Sequence, residues 1–464
     1  MSNEIKITRK YNRNNLKTQK KSSLQIKGKI TSKKDGWINI KIYGNPFERG
    51  FAHGYLLSDK LKQLMNTFPF IVENEYSQKL CEYIELCNTL IKPNLIKYFP
   101  EYYDELRGIS KGAFSQKVLI SVDWLIAWNS LLSMSLYYKN CKKHNNNNNN
   151  TNNNRCSAFI ATGDATQNGD IIMAHNTHSD YVTAQFFNIN ICIIPEEGSS
   201  FIMQTAPGFI ASGTDWFISS SGIIGCETTI SNITYVPDFK NGYPYFCRIR
   251  KAMQYGNTID DYIKIMRSYN AGDYACSWLL GNIKTNEIAL LEIGLKHHAV
   301  HRTKNGFFYG MNSVLNETIR ETETNDTDLF NDKTSSGSRN YRLHQLLTEK
   351  YYGKLNIQNA KDILSDHYDS FLNKNIMNAN GICKHSELDG TNSKKKYYPY
   401  GCVDGKVVNS KLAKQLMYIG RFGSCCGRIF NSSKFIVQHP EYKGWLKYLV
   451  DIPKYKWSNI RIDN

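Results

Sequence analysis

The sequence predicts an α+β protein in which antiparallel sheets are sandwiched between helical layers. Three observations point there. The front third has mostly helical apolar spacing. From Cys156 the pattern changes to short strand-like runs broken by turn residues such as Asn168-Gly169. Helical periodicity then dominates the last third. At 464 residues and 41% hydrophobic content, the chain can bury a large core. The net charge of +17 is uneven, because residues 1–36 carry eleven Lys/Arg against only Glu4 and Asp35.

That basic arm, residues 1–36, lacks apolar periodicity and is expected to be disordered. A solubilising tail explains its charge more simply than a nucleic-acid or lipid contact, so no specific nucleic-acid partner is expected. The opening MSNEIKITRK has no apolar core, so no signal peptide is visible. Trp37 to Tyr43 alternates like a strand and runs into GNPFERGFAHGYL. Helices are expected from Leu57 to Tyr138, with breaks at Lys92-Pro93 and Phe99-Pro100. Within this span Leu119 to Tyr138 is long enough to cross a membrane. Asp123, Asn129 and four serines favour a buried helix, so no transmembrane segment is expected. Residues 142–155, KKHNNNNNNTNNNR, read as a flexible linker.

Strands are expected at Cys156 to Thr162, Asp170 to Ala174, Phe186 to Ile194 and Phe201 to Thr205. Helices follow near Tyr245 to Tyr255 and Thr258 to Ser268. Strands resume at Ser277 to Asn282, Glu287 to Glu292 and His298 to Arg302. The clearest helices of the last third are Arg339 to Glu349 and Asn359 to Tyr368.

The chemistry centres on Cys156, placed at the first position of a strand directly after the linker. A thiolate is the nucleophile, and an ordinary thiol has a pKa of about 8.5. A cysteine at a new chain terminus carries its own base, because an α-amine with a pKa of roughly 7.7–8.0 can accept the thiol proton. That needs the Arg155–Cys156 peptide bond to break. A papain-like pairing of a cysteine with His367 or His385 is the less favoured arrangement. The twelve cysteines fall into no paired CxxC or Cys/His zinc spacing, so neither a metal nor another cofactor is expected. Adjacent Cys425 and Cys426 read as packing or redox-sensitive residues.

Several segments, in order, resemble the phospholipase B-like family, a branch of the N-terminal nucleophile hydrolases. CSAFIATGDATQNGDIIMAHNTHSDY is similar to its Cys-Ser-Ala opening and later Ser-His-x-Thr-Trp strand end. QTAPGFIASGTDWFISSSGIIGCETTISN, YNAGDYACSWLL, ILSDHYD, ICKHSE and YGCVDGKV look like later landmarks, so the likeness spans about Cys156 to Lys454. NPFERGFAHGYL is similar to the opening segment of related penicillin-acyltransferase-type enzymes. The sequence departs from the family where His178 replaces the usual Trp and where Ala275-Cys276-Ser277 replaces Asn-Asn-Gln.

The resemblance implies a four-layer αββα fold, with a basic arm (1–36), a helix-rich front (37–141), the linker (142–155) and a catalytic domain (156–464). It implies self-cleavage after Arg155, with both fragments staying associated, and hydrolysis of an acyl amide or ester of a lipid by Cys156. The alternative is a catalytically idle member that binds lipid or serves a structural role. By the same resemblance Asn312 donates to the oxyanion, with a backbone N–H near Glu227 or Thr228 as second donor. Arg339 positions the amine and thiol, and His175 and Asn176 lie beside the thiol. His178 and Thr228 contact substrate. Taken without it, Asn312 reads as a turn residue, Arg339 as a surface residue at a helix start, and His175 as a core histidine. Family members are typically secreted or lysosomal.

Overall fold

The computed structural model describes residues 25–141, 156–391 and 395–461. Residues 1–24 of the expected arm and the whole expected linker, Arg155 included, lie outside the described residues. The rest forms two stacked sheets with helices on both outer faces.

The first sheet has nine strands, in the order Gly28–Lys34, Trp37–Gly44, Ile189–Pro195, Phe201–Thr205, Trp216–Ser219, Ile223–Thr229, Cys276–Asn282, Glu287–Ile293 and His298–Thr303. All neighbours are antiparallel except Trp37–Gly44 and Ile189–Pro195, which run parallel. The second sheet runs Gly306–Gly310, Cys156–Gly163, Gly169–Asp180, Asp404–Asn409, Tyr418–Phe422 and Ser458–Ile460, with Tyr400–Cys402 also pairing to the end of Gly169–Asp180.

Strand alternation sorts the core into three layers. Between the sheets, Ala158, Ile160, Ile171 and Met173 meet Ile202, Trp216, Ile224 and Leu279. The opposite face of the first sheet, with Ile40, Ile191 and Met203, packs against helices through Leu61, Phe68, Ile109 and Trp128. On the far side, Phe159, Ala161, Ile172 and Ala174 pack under Leu343, Leu347 and Ile363 of the helices Ser335–Gln345 and Ile357–Leu364 and the turn that follows the first. This is the expected four-layer αββα sandwich. Because Trp37–Gly44 is an inner strand of the first sheet, the front of the chain and the part after Cys156 share one core.

Four expectations need correction. Residues 28–34 of the arm are an edge strand, joined to Trp37–Gly44 by a two-residue turn. Asp35 and Gly36 both have positive φ, 50° and 82°, the geometry that favours Asp-Gly in a tight hairpin. Lysines on that strand suit a sheet edge, where charge discourages pairing with another chain. The helix Leu80–Tyr98 runs through Pro93 without a break, because Tyr83, Cys87, Ile91 and Leu95 form one continuous buried stripe. Leu119 to Tyr138 is not one helix but two, Val122–Asn129 and Leu131–Cys141, and no helix among the described residues is long and apolar enough to cross a membrane. Finally, the last third is not mainly helical: it supplies the strands Asp404–Asn409 and Tyr418–Phe422, with the ion pair Lys406–Asp404 buried in the first of them.

The GNPFERGFAHGYL segment is a structural clamp. Asn45 caps the helix Pro46–Leu56. This helix crosses Pro100–Ser115 at touching backbones: a Cβ on Gly50 would lie 1.9 Å from the Glu105 carbonyl oxygen, and one on Gly54 would lie 2.0 Å from that of Ile109. Arg49 is buried against Glu105, which also takes Arg250. The Nε2 of His53 accepts the backbone N–H of Gly208 at 2.8 Å. One clamp thus joins two helices to the loop after Phe201–Thr205.

Candidate active site

Cys156 opens its strand on the parity of Ala158 and Ile160, so its side chain faces the layer between the sheets. In the antiparallel register it opposes Thr177, while Ser157 opposes Asn176 and Ala158 opposes His175. His175 therefore shares the face of Cys156 one step along, and Asn176 points to the other face. There the Oδ1 of Asn176 accepts the Ser157 N–H at 3.0 Å and its Nδ2 donates to the Ile382 carbonyl at 2.9 Å. Asn176 is a clip between strand and loop and does not lie beside the thiol. The expectation failed because one residue of register exchanges the two faces of a strand.

Asn312 and Arg339 converge on Cys156. The backbone N–H of Cys156 donates to Asn312 Oδ1 at 3.2 Å, and Arg339 Nη2 donates to the same oxygen at 2.9 Å. Arg339 Nη1 donates to the Cys156 carbonyl oxygen at 2.5 Å and to Ser157 Oγ at 3.0 Å. The Nε of Arg339 binds the Ser335 carbonyl one helical turn back, which fixes the guanidinium on its helix. Arg339 is fully buried, not at the surface, and burial pulls its pKa down to about 10, against the raising effect of Cys156. Asn312 is both turn residue and site residue: its φ of 82° lies in the left-handed region, which Asn tolerates better than most residues. Its Nδ2 donates to the Thr229 carbonyl at 3.0 Å, using one of two amide protons.

The thiol sits among carboxylates. Burial first, then Glu227 and Asp215, push Cys156 well above the ordinary thiol range, and Lys406 opposes them. Glu227 is held by Tyr274, 3.1 Å from its Oε1. Its backbone N–H goes to Asp215 O at 3.2 Å, so Glu227 has no amide to offer an oxyanion. Lys406 bridges Asp404 and Thr177 Oγ1, both at 2.9 Å, and Asp404 also takes the Thr177 N–H at 3.0 Å. A buried ion pair thus fixes the residue opposite the thiol. Nothing in the run YGCVDGKV marks Lys406 for this role, since only the strand register brings it to Thr177.

His175 is a core histidine on the site's face. Its Nε2 lies 2.9 Å from the Glu227 carbonyl, so that nitrogen carries the proton, and burial holds the ring neutral. His178 bonds the Ile382 carbonyl at 3.0 Å and is likewise kept neutral by burial and by Arg339. It does line the cleft. That cleft, about 40 Å³, reaches Cys156 between Thr177, His178, Asp215 and Tyr274, with Ile71, Leu131, Leu132 and Phe209 from the front of the chain and the loop after Phe201–Thr205 as its apolar wall. Thr228 is not on this wall; its hydroxyl is packed where a Cβ on Gly310 would fall, 2.2 Å away. His367 and His385, considered as partners for a nucleophilic thiol, gather instead with Cys383 and Cys426.

A sequence model of the phospholipase B family matches residues 33–294, more than half of the chain, and the chain belongs to this family. Relatives include an uncharacterized protein of Archaeoglobus fulgidus, 25% identical over 285 residues, covering 59% of this chain and 46% of that protein. Protein dcd1B of Dictyostelium discoideum is 24% identical, covering 55% and 50%. The putative phospholipase B-like 2 of Rattus norvegicus is 28% identical over 144 residues, covering 28% and 24%. The match thus spans half or less of the length of these relatives. Among solved structures, penicillin V acylase from Agrobacterium tumefaciens overlaps 57% of this chain and 82% of its own, at 10% identity and a TM-score of 0.33. A mutant of the conjugated bile acid hydrolase from Clostridium perfringens overlaps 57% and 89%, at 8% identity and a TM-score of 0.31.

Proposed function

We propose that the protein is a self-processed cysteine hydrolase that cleaves an acyl amide or ester bond of a lipid. The observation that carries this reading is the grip on the backbone nitrogen of Cys156. Any buried N–H needs an acceptor. Here the acceptor is a side-chain amide that a buried arginine also holds, at the one nitrogen that a cut after Arg155 would free as a base.

In the maturation step, Cys156 Sγ attacks the Arg155 carbonyl carbon. The Arg155–Cys156 C–N bond breaks and the nitrogen gains a proton. Water then hydrolyses the resulting thioester, leaving an Arg155 carboxylate, a thiol and a free amine. In turnover the amine accepts the thiol proton as sulfur attacks the substrate acyl carbon and delivers it to the departing amine or alcohol. Water, giving a proton to the same amine, then attacks the Cys156 thioester, and the C–S bond breaks to release the acid and restore the thiol. Asn312 offers its second Nδ2 proton to the oxyanion. Losing one such donor typically costs about 10²–10³ in rate. Arg339 holds the Cys156 carbonyl and the Asn312 amide in place. His178 contacts the substrate head, and Asn176 and His175 position the two strands. The apolar wall supports a lipid substrate, as do relatives that are called phospholipase B-like. A cleft of about 40 Å³ holds only a few waters, so an acyl chain enters only when the helical wall opens.

The test is denaturing electrophoresis with terminal sequencing, for wild type and Cys156→Ala. The expected result is roughly 18 and 36 kDa pieces from the 53.4 kDa wild type, with Cys156 at a new terminus, and one intact variant band. The pieces should co-elute under native conditions, because they share one sheet. A chain that stays whole in both proteins overturns the nucleophile and leaves the idle, lipid-binding reading. Processed protein that is inert on acyl amides and phospholipids overturns the lipid assignment alone.

A further inference from the structure

Outside the cleft, the described residues hold one cluster rich in metal-binding side chains. His367, Cys383, His385 and Cys426 each offer a ligand atom, and the four atoms lie within 4.8 Å of one another. They come from three separate segments. His367 follows the helix Ile357–Leu364, Cys383 and His385 lead into the turn Ser386–Leu388, and Cys426 lies just past the strand Tyr418–Phe422.

The spacing decides what this cluster resembles. Zinc bonds of about 2.3 Å to sulfur and 2.0–2.1 Å to nitrogen give a tetrahedral N···S edge of about 3.5 Å. His385 Nε2 lies 3.6 Å from Cys383 Sγ and 3.5 Å from Cys426 Sγ. The other ring nitrogen of His385, Nδ1, is 2.9 Å from Glu387 Oε1. That bond sets Nδ1 against a carboxylate and turns Nε2 towards the two sulfurs. It is the carboxylate–histidine arrangement that usually backs a metal-bound imidazole. The His367 ring centre is 5.2 Å from that of His385, and its Nε2 is buried with no hydrogen-bond partner among the described residues. Four side chains of ligand type converge on one point from three segments, with two N···S distances at the zinc edge length, which is more than packed thiols require.

We propose that His367, Cys383, His385 and Cys426 bind a structural zinc ion. Two thiolates and two neutral imidazoles fill a tetrahedron and leave no open position for substrate. On binding, the two thiols release their protons to solvent, and the two thiolates neutralise the dication, which suits a buried site. The ion ties together three segments, two of which already meet through the Cys383 N–H donating to the Asp366 carbonyl at 2.9 Å. It also braces Ile382, whose carbonyl receives both Asn176 and His178 under the Cys156 strand. Cys402 and Cys425, with sulfurs 3.4 Å apart, lie beside the cluster and outside the ligand set.

The test uses the full chain, purified under reducing conditions with zinc in the growth medium. Metal analysis should find one zinc per chain. Exchange into cobalt(II) should give the visible bands of tetrahedral cobalt together with thiolate charge transfer. Removing zinc with a chelator should lower the melting temperature, and returning it should restore the melt. Cys383→Ala and His367→Ala should lose the metal, while Cys81→Ala, at an exposed cysteine elsewhere, should keep it. If the ligand variants do not fold, the cobalt spectrum of the wild type still decides. Zinc far below one per chain after loading overturns the proposal. So does a Cys383–Cys426 disulfide in the isolated protein, or metal retained in both ligand variants.

Discussion

Replacing Asn312 by glycine in the uncleavable Cys156→Ala protein should cost about 3 kcal/mol of unfolding free energy. The side chain accepts from Cys156 N–H and Arg339 Nη2 and donates to Thr229 O, so its removal strips partners from two buried donors and one buried acceptor. Each stranded group costs about 1–3 kcal/mol, and the lower end applies because the three share one cavity and do not add fully. Glycine keeps the backbone at φ 82° without strain. Alanine does not, and Asn312→Ala should cost about 1 kcal/mol more than the glycine variant. Urea titration of the three proteins reads both differences. A glycine variant within about 0.5 kcal/mol of its parent would refute the claim that this side chain organises the site. An alanine variant more stable than the glycine one would refute the left-handed backbone. With Cys156 restored, processing should slow by about 10²-fold or more in both variants.

Three further outcomes are expected. Gly50→Ala forces its helix away from the Glu105 carbonyl and should cost about 3 kcal/mol or more, whereas Gly444→Ala, with nothing within 4 Å, should leave the melting curve unchanged. Lys406→Met leaves Asp404 buried without its cation and should destabilise by about 3–5 kcal/mol, with much of that recovered by adding Asp404→Asn; chemical denaturation of single and double variants checks this. Burial holds His53 down at about 4, against 6.5 in the unfolded chain, although Glu105 pulls it up. As pH falls through that window the unfolded chain takes up a proton that the folded chain refuses, so stability drops by about 2–3 kcal/mol towards pH 4. His53→Gln should remove that part of the pH dependence, and identical pH profiles for the two proteins would contradict it.

How far the fold was legible follows from periodicity. The helical front and the strands after Cys156 could be read because each carries its own apolar repeat. The strands Asp404–Asn409 and Tyr418–Phe422 could not, since the first buries Lys406 and the second has two glycine-flanked, half-buried positions. The edge strand at Gly28–Lys34 was masked by its lysines, although Asp35-Gly36 carried the turn signal. At the site, Cys156, Asn312 and Arg339 were picked out by likeness to a family, and the structure brings all three together. Asn176 was misplaced because strand parity depends on register. The cluster at His367, Cys383, His385 and Cys426 was invisible because its members come from three separate segments. Only the fold closes those gaps.

The strand Trp37–Gly44 and the cleft wall at Ile71, Leu131 and Leu132 belong to the front of the chain. A cut after residue 155 would therefore leave the sulfur of Cys156 on one polypeptide and much of the apolar wall beside it on another. Under the proposed function, exchanging the front piece by co-expression in trans would change that wall without touching Cys156.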